Sequence, residues 1–297
     1  FCNSGCEAVE AAIKLARLYG KEKGIASPKI ITMHGAFHGR TMATISAIDN
    51  PTNTDFQPLL EGFIHCPYND IETLKTLASN HPDVVAVLLE PVQGEGGIIV
   101  PEDHYLEQVR EVCDQHDHLM ILDEIQTGIG RTGQWFAFMH TPIKPDILCS
   151  AKALGNGFPV GAYLARGKAS SLFKVGHHGS TFGGNPLAMS VGNEVMDIIS
   201  NKKFLNNVKN LSKYFFENLN DLKDKYPNII KQIRGKGLLI GIQLHKDQTL
   251  FIKKLMENKL LTIKAAENVI RILPPLNVKK SEIDIALKVI NKVCSEY

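Results

Sequence analysis

The sequence predicts an α/β fold: a large domain with a mainly parallel sheet between helices, followed by a smaller α+β C-terminal domain. Three observations carry this. Strand-sized apolar runs alternate with amphipathic helical stretches through the first two-thirds of the chain, the pattern of a parallel sheet with helical crossovers. Polar residues able to do chemistry stand directly after several of those runs. Beyond about Ser200 the texture changes to one long charged helix and then to strand and helix units.

The elements read as follows in chain order. A first helix covers 7–19, where Ala8, Ala11, Ala12, Leu15 and Tyr19 fall on one face at i, i+3, i+4 spacing. Apolar runs at 29–33 and 62–66 are strands, followed by a helix at 71–79 and a strand at 84–89. A helix at 105–116 leads to a strand at 119–123, then strands at 147–150 and 161–165, then a helix at 186–200. The second part holds an amphipathic helix at 202–224, a strand at 237–244, a helix at 249–258, a strand at 269–273 and a last helix from Ser281. No repeat or low-complexity linker interrupts the chain, so the domains are expected at 1–200 and 201–297.

Composition excludes several function classes. The 297 residues are 44% hydrophobic and 22% charged, as in globular proteins. A net charge of +2, from 33 basic and 31 acidic side chains, gives no reason to expect nucleic acid or a membrane surface as partner. No apolar run approaches the roughly 20 residues that span a bilayer. The six cysteines form no C-x-x-C pair, which suits free thiols in a reducing cytoplasm. The chain opens at Phe1 on what looks like a strand end, so an N-terminal piece is expected to precede it.

Ligands of open α/β sheets sit beyond the carboxyl ends of the strands, and five segments in such places converge. Asn3-Ser4-Gly5-Cys6 opens the first helix, where exposed N–H groups suit a phosphate, although Ser4 could equally be a plain cap. In 35–41, Phe37 can stack on an aromatic ring and Arg40 can grip a carboxylate, or the segment is a turn with a packed Phe. Asp123 ends an apolar strand, where a carboxylate needs a cation or hydrogen bonds; a protonated pyridine nitrogen would serve, and Gln126 could reach a ring hydroxyl. Lys152 follows the strand at 147–150; a partly desolvated lysine is a nucleophile for Schiff-base chemistry, whereas a solvated one is inert. Residues 179–186 offer the hydroxyls of Ser180 and Thr181 and several glycines as a second phosphate clamp, or form an ordinary glycine-rich cap. A phosphate, an aromatic ring, a ring nitrogen and an aldehyde are the four parts of pyridoxal 5'-phosphate.

Gly128-Ile129-Gly130-Arg131-Thr132-Gly133 fits the dinucleotide pattern G-x-G-x-x-G. That pattern needs its glycines at the strand-to-helix turn, whereas four residues intervene here and no helix opening follows. The eleven histidines show no metal spacing, so no metal is expected.

Seven strings together resemble the class III aminotransferases of the fold-type I pyridoxal-phosphate family: FCNSGCEAVEAAIKLAR, GAFHGRT, EPVQGEGG, LDEIQTGIGRTG, AKALGNGFPVGA, HGSTFGGNPLA and IRILPPL. The resemblance covers essentially the whole chain, and Asp123 and Lys152 stand 29 positions apart, as the ring-nitrogen aspartate and Schiff-base lysine of that family do. It implies a seven-stranded type of large sheet. It also implies roles. Ser4, Gly5 and Cys6 hold the phosphate, Phe37 stacks on the ring, Gln126 contacts the ring oxygen, and Arg40 binds the distal substrate carboxylate. Ser180 and Thr181 reach the phosphate of a neighbouring subunit, making a homodimer with shared sites, while Glu95 and Arg271 form the switch pair of ω-amino enzymes. Cys6 stands where the family commonly has Ala, and the family's N-terminal segment, which supplies substrate contacts, is not in this sequence.

Within that class GAFHGRT, GEGG and HGSTFGGNPLA look most like the acetylornithine aminotransferase branch, which implies amino and keto acids as substrates, with 2-oxoglutarate as acceptor. Ornithine, 4-aminobutyrate and succinyldiaminopimelate are the alternative donors. A pyridoxal-phosphate-binding fragment without turnover is the alternative of a different class.

Overall fold

A computed structural model describes residues Phe1–Tyr297. The chain divides into two compact units. The first comprises Phe1–Pro91, Pro101–Ile129 and Phe138–Asp197; the second comprises Val92–Val100, Gly130–Ala137 and Ile198–Tyr297. The second unit thus takes in two short stretches from the first two-thirds of the sequence, which a single cut near residue 200 does not capture.

The first unit is a six-stranded sheet with helices on both faces. Its elements are α1 (Gly5–Glu22), β1 (Lys29–Met33), α2 (Met42–Ser46), β2 (Phe63–Cys66), α3 (Ile71–Asn80), β3 (Val84–Leu89), α4 (Tyr105–Gln115), β4 (Leu119–Asp123), β5 (Ile147–Ser150), β6 (Ala162–Ala165) and most of α5 (Pro186–Ser200). The strand order is β2-β1-β3-β4-β5-β6, parallel except for β6. Alternate residues of each strand face opposite helices. Ile30, Val85, Leu88 and Ile121 pack with Ala8, Ala12, Leu15 and Ala16 of α1. Ile31, Val87, Leu89 and Met120 pack with Leu74 of α3 and Val109 and Val112 of α4. Burial on both faces is why these strands read as unbroken apolar runs. The order reverses at β1, which lies between β2 and β3, and such switch points open the crevice where ligands bind.

The expected seven-stranded sheet has six strands. At the β6 edge there is only an isolated antiparallel bridge from Cys2 to Gly161.

The second unit adds α6 (Lys202–Lys225), β7 (Ile230–Lys236), β8 (Leu239–Leu244), α7 (Thr249–Glu257), β9 (Ile263–Ala265), β10 (Val269–Ile272) and α8 (Lys280–Ser295). Its antiparallel sheet runs β7-β8-β10-β9. Phe215, Leu219, Ile240, Ile242, Phe251, Ile270 and Ile290 form its core. On this sheet also lie Val92 and Ile98, packed with Leu239, Ala265 and Val269. The strand β7 was not expected: IKQIRGK is mostly polar, and as an edge strand it needs few apolar side chains. No helix is long and apolar enough to cross a membrane.

Candidate active site

The polar segments after β1, β4 and β5 follow the carboxyl ends of parallel strands, while 179–186 follows the antiparallel β6 and contacts α1. Asp123, the last residue of β4, is in register with Cys149 of β5, and Lys152 follows three residues later. Neighbouring strands lie about 4.8 Å apart, so the carboxylate and the amine belong to adjacent strand ends. Glycines pull the remaining pieces in. A Cβ on Gly5 would come 2.8 Å from Ile125 Cδ1, just past Asp123, so only glycine lets the start of α1 approach β4 this closely. Gly39 has φ +136, and a Cβ there would lie 2.5 Å from Cys6 Sγ. The same thiol accepts the Arg40 N–H at 3.3 Å. The start of α1, the loop after β1 and the turn after β4 therefore touch one another.

Asp123 is 3% exposed. Its Oδ1 accepts the Ile125 N–H at 3.1 Å, and its Oδ2 lies 2.8 Å from His38 Nδ1. Since a carboxylate accepts, Nδ1 carries the proton. His38 is itself buried, and its Nε2 has no hydrogen-bond partner. His38 lies within GAFHGRT, and the sequence alone gives it no role; its one signal is a histidine in the loop beside the stacking candidate, after the strand next but one to that of Asp123.

Phe37 is half-buried, with its N–H donating to Glu90 Oε1 at 3.0 Å and the Arg40 guanidinium 5.8 Å from its ring centre. Arg40 is exposed. Gln126 lies half-buried in the turn after β4. Ser4 is a true N-cap: its hydroxyl accepts the Glu7 N–H at 3.3 Å and donates to Glu7 Oε2 at 3.1 Å. The Ser4 hydroxyl is thus engaged with Glu7, while the N–H groups of Gly5 and Cys6 have no acceptor within the helix. Thr181 is exposed, while Ser180 is held by its own chain, accepting from Asn3 Nδ2 at 2.9 Å and donating to Glu7 Oε1 at 3.1 Å.

One expectation is corrected. Lys152 is exposed in the single chain, not partly desolvated. The tight 3-10 turn Lys152–Leu154 buries Ala151 and Leu154 and leaves the lysine outward. Its backbone is left-handed, φ +44, which costs a non-glycine residue ~1 kcal/mol and is a kind of strain that concentrates at functional sites.

Glu95 and Arg271 both belong to the second unit and meet there. Arg271, on β10 between β8 and β9, is 5% exposed, and its Nη1 lies 2.6 Å from Glu95 Oε1. Glu95 comes from the segment Val92–Val100, which is fixed beside it by the Ala266 N–H donating to Glu95 O at 2.9 Å. The G-x-G-x-x-G stretch opens no helix. Arg131 donates to Leu238 O and Pro274 O at 3.1 and 2.7 Å, so the stretch braces the second unit. No group of three or more His, Cys, Asp or Glu side chains is placed to hold a metal ion.

The sequence signature described as "Aminotransferase class-III" matches residues 1–294. The chain belongs to the class-III aminotransferase family. An acetylornithine aminotransferase of Nitrosomonas europaea is 46% identical over 95% of this chain and 72% of its own length. The solved ornithine aminotransferase of Toxoplasma gondii ME49 superposes with a TM-score of 0.94 at 36% identity, over 99% of this chain and 72% of that one. The N-acetylornithine aminotransferase of Stenotrophomonas maltophilia K279a gives 0.84 at 35% identity, over 99% and 74%.

Class-III aminotransferases depend on pyridoxal phosphate, and the residues of this family member fit that group. A carboxylate has about four acceptor positions; Asp123 uses two on the Ile125 N–H and His38, which leaves capacity for a protonated ring nitrogen. The first amides of α1 have no acceptor within the helix, and Lys152 supplies a primary amine after the neighbouring strand β5.

Proposed function

We propose that the chain transfers the terminal amino group of N-acetylornithine to 2-oxoglutarate, releasing the semialdehyde and glutamate. The observation that carries this is the register of β4 and β5, which sets Asp123 and Lys152 on adjacent strand ends beside the start of α1. The Nitrosomonas and Stenotrophomonas proteins support the donor. The Toxoplasma protein supports a second reading, with ornithine as donor.

Pyridoxal phosphate, when bound, supplies a ring that takes up the electron pair left when the substrate carbon loses a proton. Lys152 would hold the cofactor covalently, and its Nζ, once free, would carry the proton of the reacting carbon. Asp123 keeps a proton on the ring nitrogen, and His38 fixes the rotamer of that carboxylate through Nδ1. Phe37 would lie against the ring, Gln126 would contact its oxygen, and the amides around Ser4, Gly5 and Cys6 would hold the phosphate.

Two substrates of different shape must share the pocket. With N-acetylornithine the reacting amine is terminal, Arg40 takes the distant carboxylate, and Glu95 neutralises Arg271. With glutamate the α-carboxylate takes Arg271 instead, and Glu95 swings aside. The active unit is a homodimer in which the segment with Ser180 and Thr181 serves the neighbouring subunit. The outward Phe182 and Leu187, 72% and 61% exposed, support such an interface. A cytoplasmic location suits the six free thiols.

An absorbance spectrum with pyridoxal phosphate, before and after borohydride, tests the covalent link. A panel of N-acetylornithine, ornithine, 4-aminobutyrate and succinyldiaminopimelate with 2-oxoglutarate tests the donor. The expected result is a reducible absorbance and the highest kcat/KM for N-acetylornithine. Ornithine in first place selects the second reading, and cofactor binding without turnover selects the fragment alternative.

A further inference from the structure

The most heavily hydrogen-bonded carboxylate near the start of α1 has no part in the chemistry above. Glu7 sits in the first turn of α1 and is half-buried. Its Oε2 accepts the Asn3 N–H at 2.8 Å and the Ser4 hydroxyl at 3.1 Å. Its Oε1 accepts Asn3 Nδ2 and the Ser180 hydroxyl, each at 3.1 Å. Four donors fill the acceptor capacity of one carboxylate. Burial opposes its charge, but the bonds from Asn3, Ser180 and Ser4 together hold its acid group below the usual range. Three of these donors are local; the fourth comes from 173 residues away.

That distant donor ties a whole segment to α1. Two turns along the same helix, Lys14 Nζ donates to His177 O at 2.7 Å and lies 3.2 Å from His178 Nδ1. The His178 ring stacks on Phe173 at 5.2 Å between centres. The stretch from Phe173 to Ser180 is therefore laid along α1, anchored at Lys14 and at Glu7.

A hydroxyl has one proton to give. Ser180 gives its proton to Glu7 Oε1 and accepts from Asn3 Nδ2, so it cannot at the same time donate to a phosphate. Thr181, the next residue, is exposed.

We propose that Glu7 is a positioning residue for cofactor binding: by latching Ser180 to the first turn of α1 it holds Thr181 as the hydroxyl offered to the cofactor phosphate of a second copy. This rests on the proposed phosphate site and on the shared-site dimer. Ser180 thereby changes role, from phosphate ligand to anchor.

The test compares pyridoxal 5'-phosphate with pyridoxal, which lacks the phosphate. Equilibrium binding of each is measured by absorbance on the dimeric wild type and on Glu7→Ala, Glu7→Gln, Ser180→Ala and the Glu7→Ala/Ser180→Ala double variant. Thermal unfolding of the cofactor-free proteins is followed in parallel. Losing the latch weakens pyridoxal phosphate by about tenfold, the size of one charge-assisted hydrogen bond, and leaves pyridoxal within twofold. The double variant loses no more than either single one, because both break the same contact. Glu7→Gln, which keeps an acceptor for Ser180, recovers most of the loss. Equal weakening of both ligands would assign Glu7 to the fold alone and overturn the proposal, as would unchanged phosphate affinity. Absence of any Lys152-linked cofactor in the wild type would instead overturn the functional reading beneath it.

Discussion

Replacing His38 by alanine tests whether the aspartate at the end of β4 needs its partner. The His38 and Asp123 side chains are 0% and 4% exposed, and Nδ1 and Oδ2 are 2.8 Å apart. A hydrogen bond to a charged group is worth ~1.5–3 kcal/mol. Removing His38 leaves Oδ2 without that donor, while Oδ1 keeps the Ile125 N–H at 3.1 Å, so the carboxylate stays in place but is free to turn. If the whole bond is felt when the substrate carbon loses its proton, the half-reaction slows by roughly 10- to 150-fold. Water entering the vacated space would replace part of the lost donor, which favours the lower end.

The assay is a single-turnover half-reaction with excess N-acetylornithine and no keto acid, followed by cofactor absorbance. His38→Asn is the control. Its side-chain amide places a donor at the same δ position, so its rate should stay within about threefold of wild type. A His38→Ala rate within twofold of wild type, in a folded protein, would refute the positioning role and leave the histidine as a space-filling residue.

Three further substitutions have clear expected outcomes. Lys152→Ala should abolish transamination and any borohydride-fixed cofactor on the chain, read by intact mass; retained turnover would end the mechanism. Asp123→Asn should keep the fixed cofactor but slow the half-reaction by roughly a hundredfold or more, and should outweigh His38→Ala, since it removes the group that His38 only orients. Glu95→Gln should move the kcat/KM ratio towards α-amino donors by about tenfold, measured with glutamate against N-acetylornithine; an unchanged ratio removes the switch.

Most of the large unit was legible because parallel strands buried on two faces must be apolar at every position. The strands at 29–33, 84–89, 119–123 and 147–150 fall as expected, and so does the helix at 186–200. Edges were not legible. A polar strand such as β7 satisfies its backbone on one side and needs no apolar code. Nor could periodicity reveal that Val92–Val100 lies with the second unit: its glycine-rich middle carries no apolar pattern, and the docking rests on pairwise fits such as Ile98 against Gly241, whose Cβ would sit 2.9 Å from Ile98 Cβ. In the site, residue types at strand ends pointed to the cofactor, but pairwise partners were invisible. Glu7 reads as an ordinary first-turn acid, and nothing in HGSTFGGN says that Ser180 is already spoken for.

The pairing of Arg271 with Glu95 shows how one unit can hold a fixed charge and an adjustable one. Arg271 is 5% exposed on a strand hydrogen-bonded on both sides, so its position is set by the sheet. The Glu95 side chain is 39% exposed and comes from a loop segment. Separating a buried charge from its partner costs ~3–5 kcal/mol unless another charge takes the place. The carboxylate is therefore the member freer to move, and an incoming carboxylate could take its place on the arginine. On the proposed reading, a substrate with its carboxylate beside the reacting amine would open the pair as it binds, and one whose carboxylate is distant would leave it closed. Discrimination between the two half-reactions would then follow from the substrate's own charge.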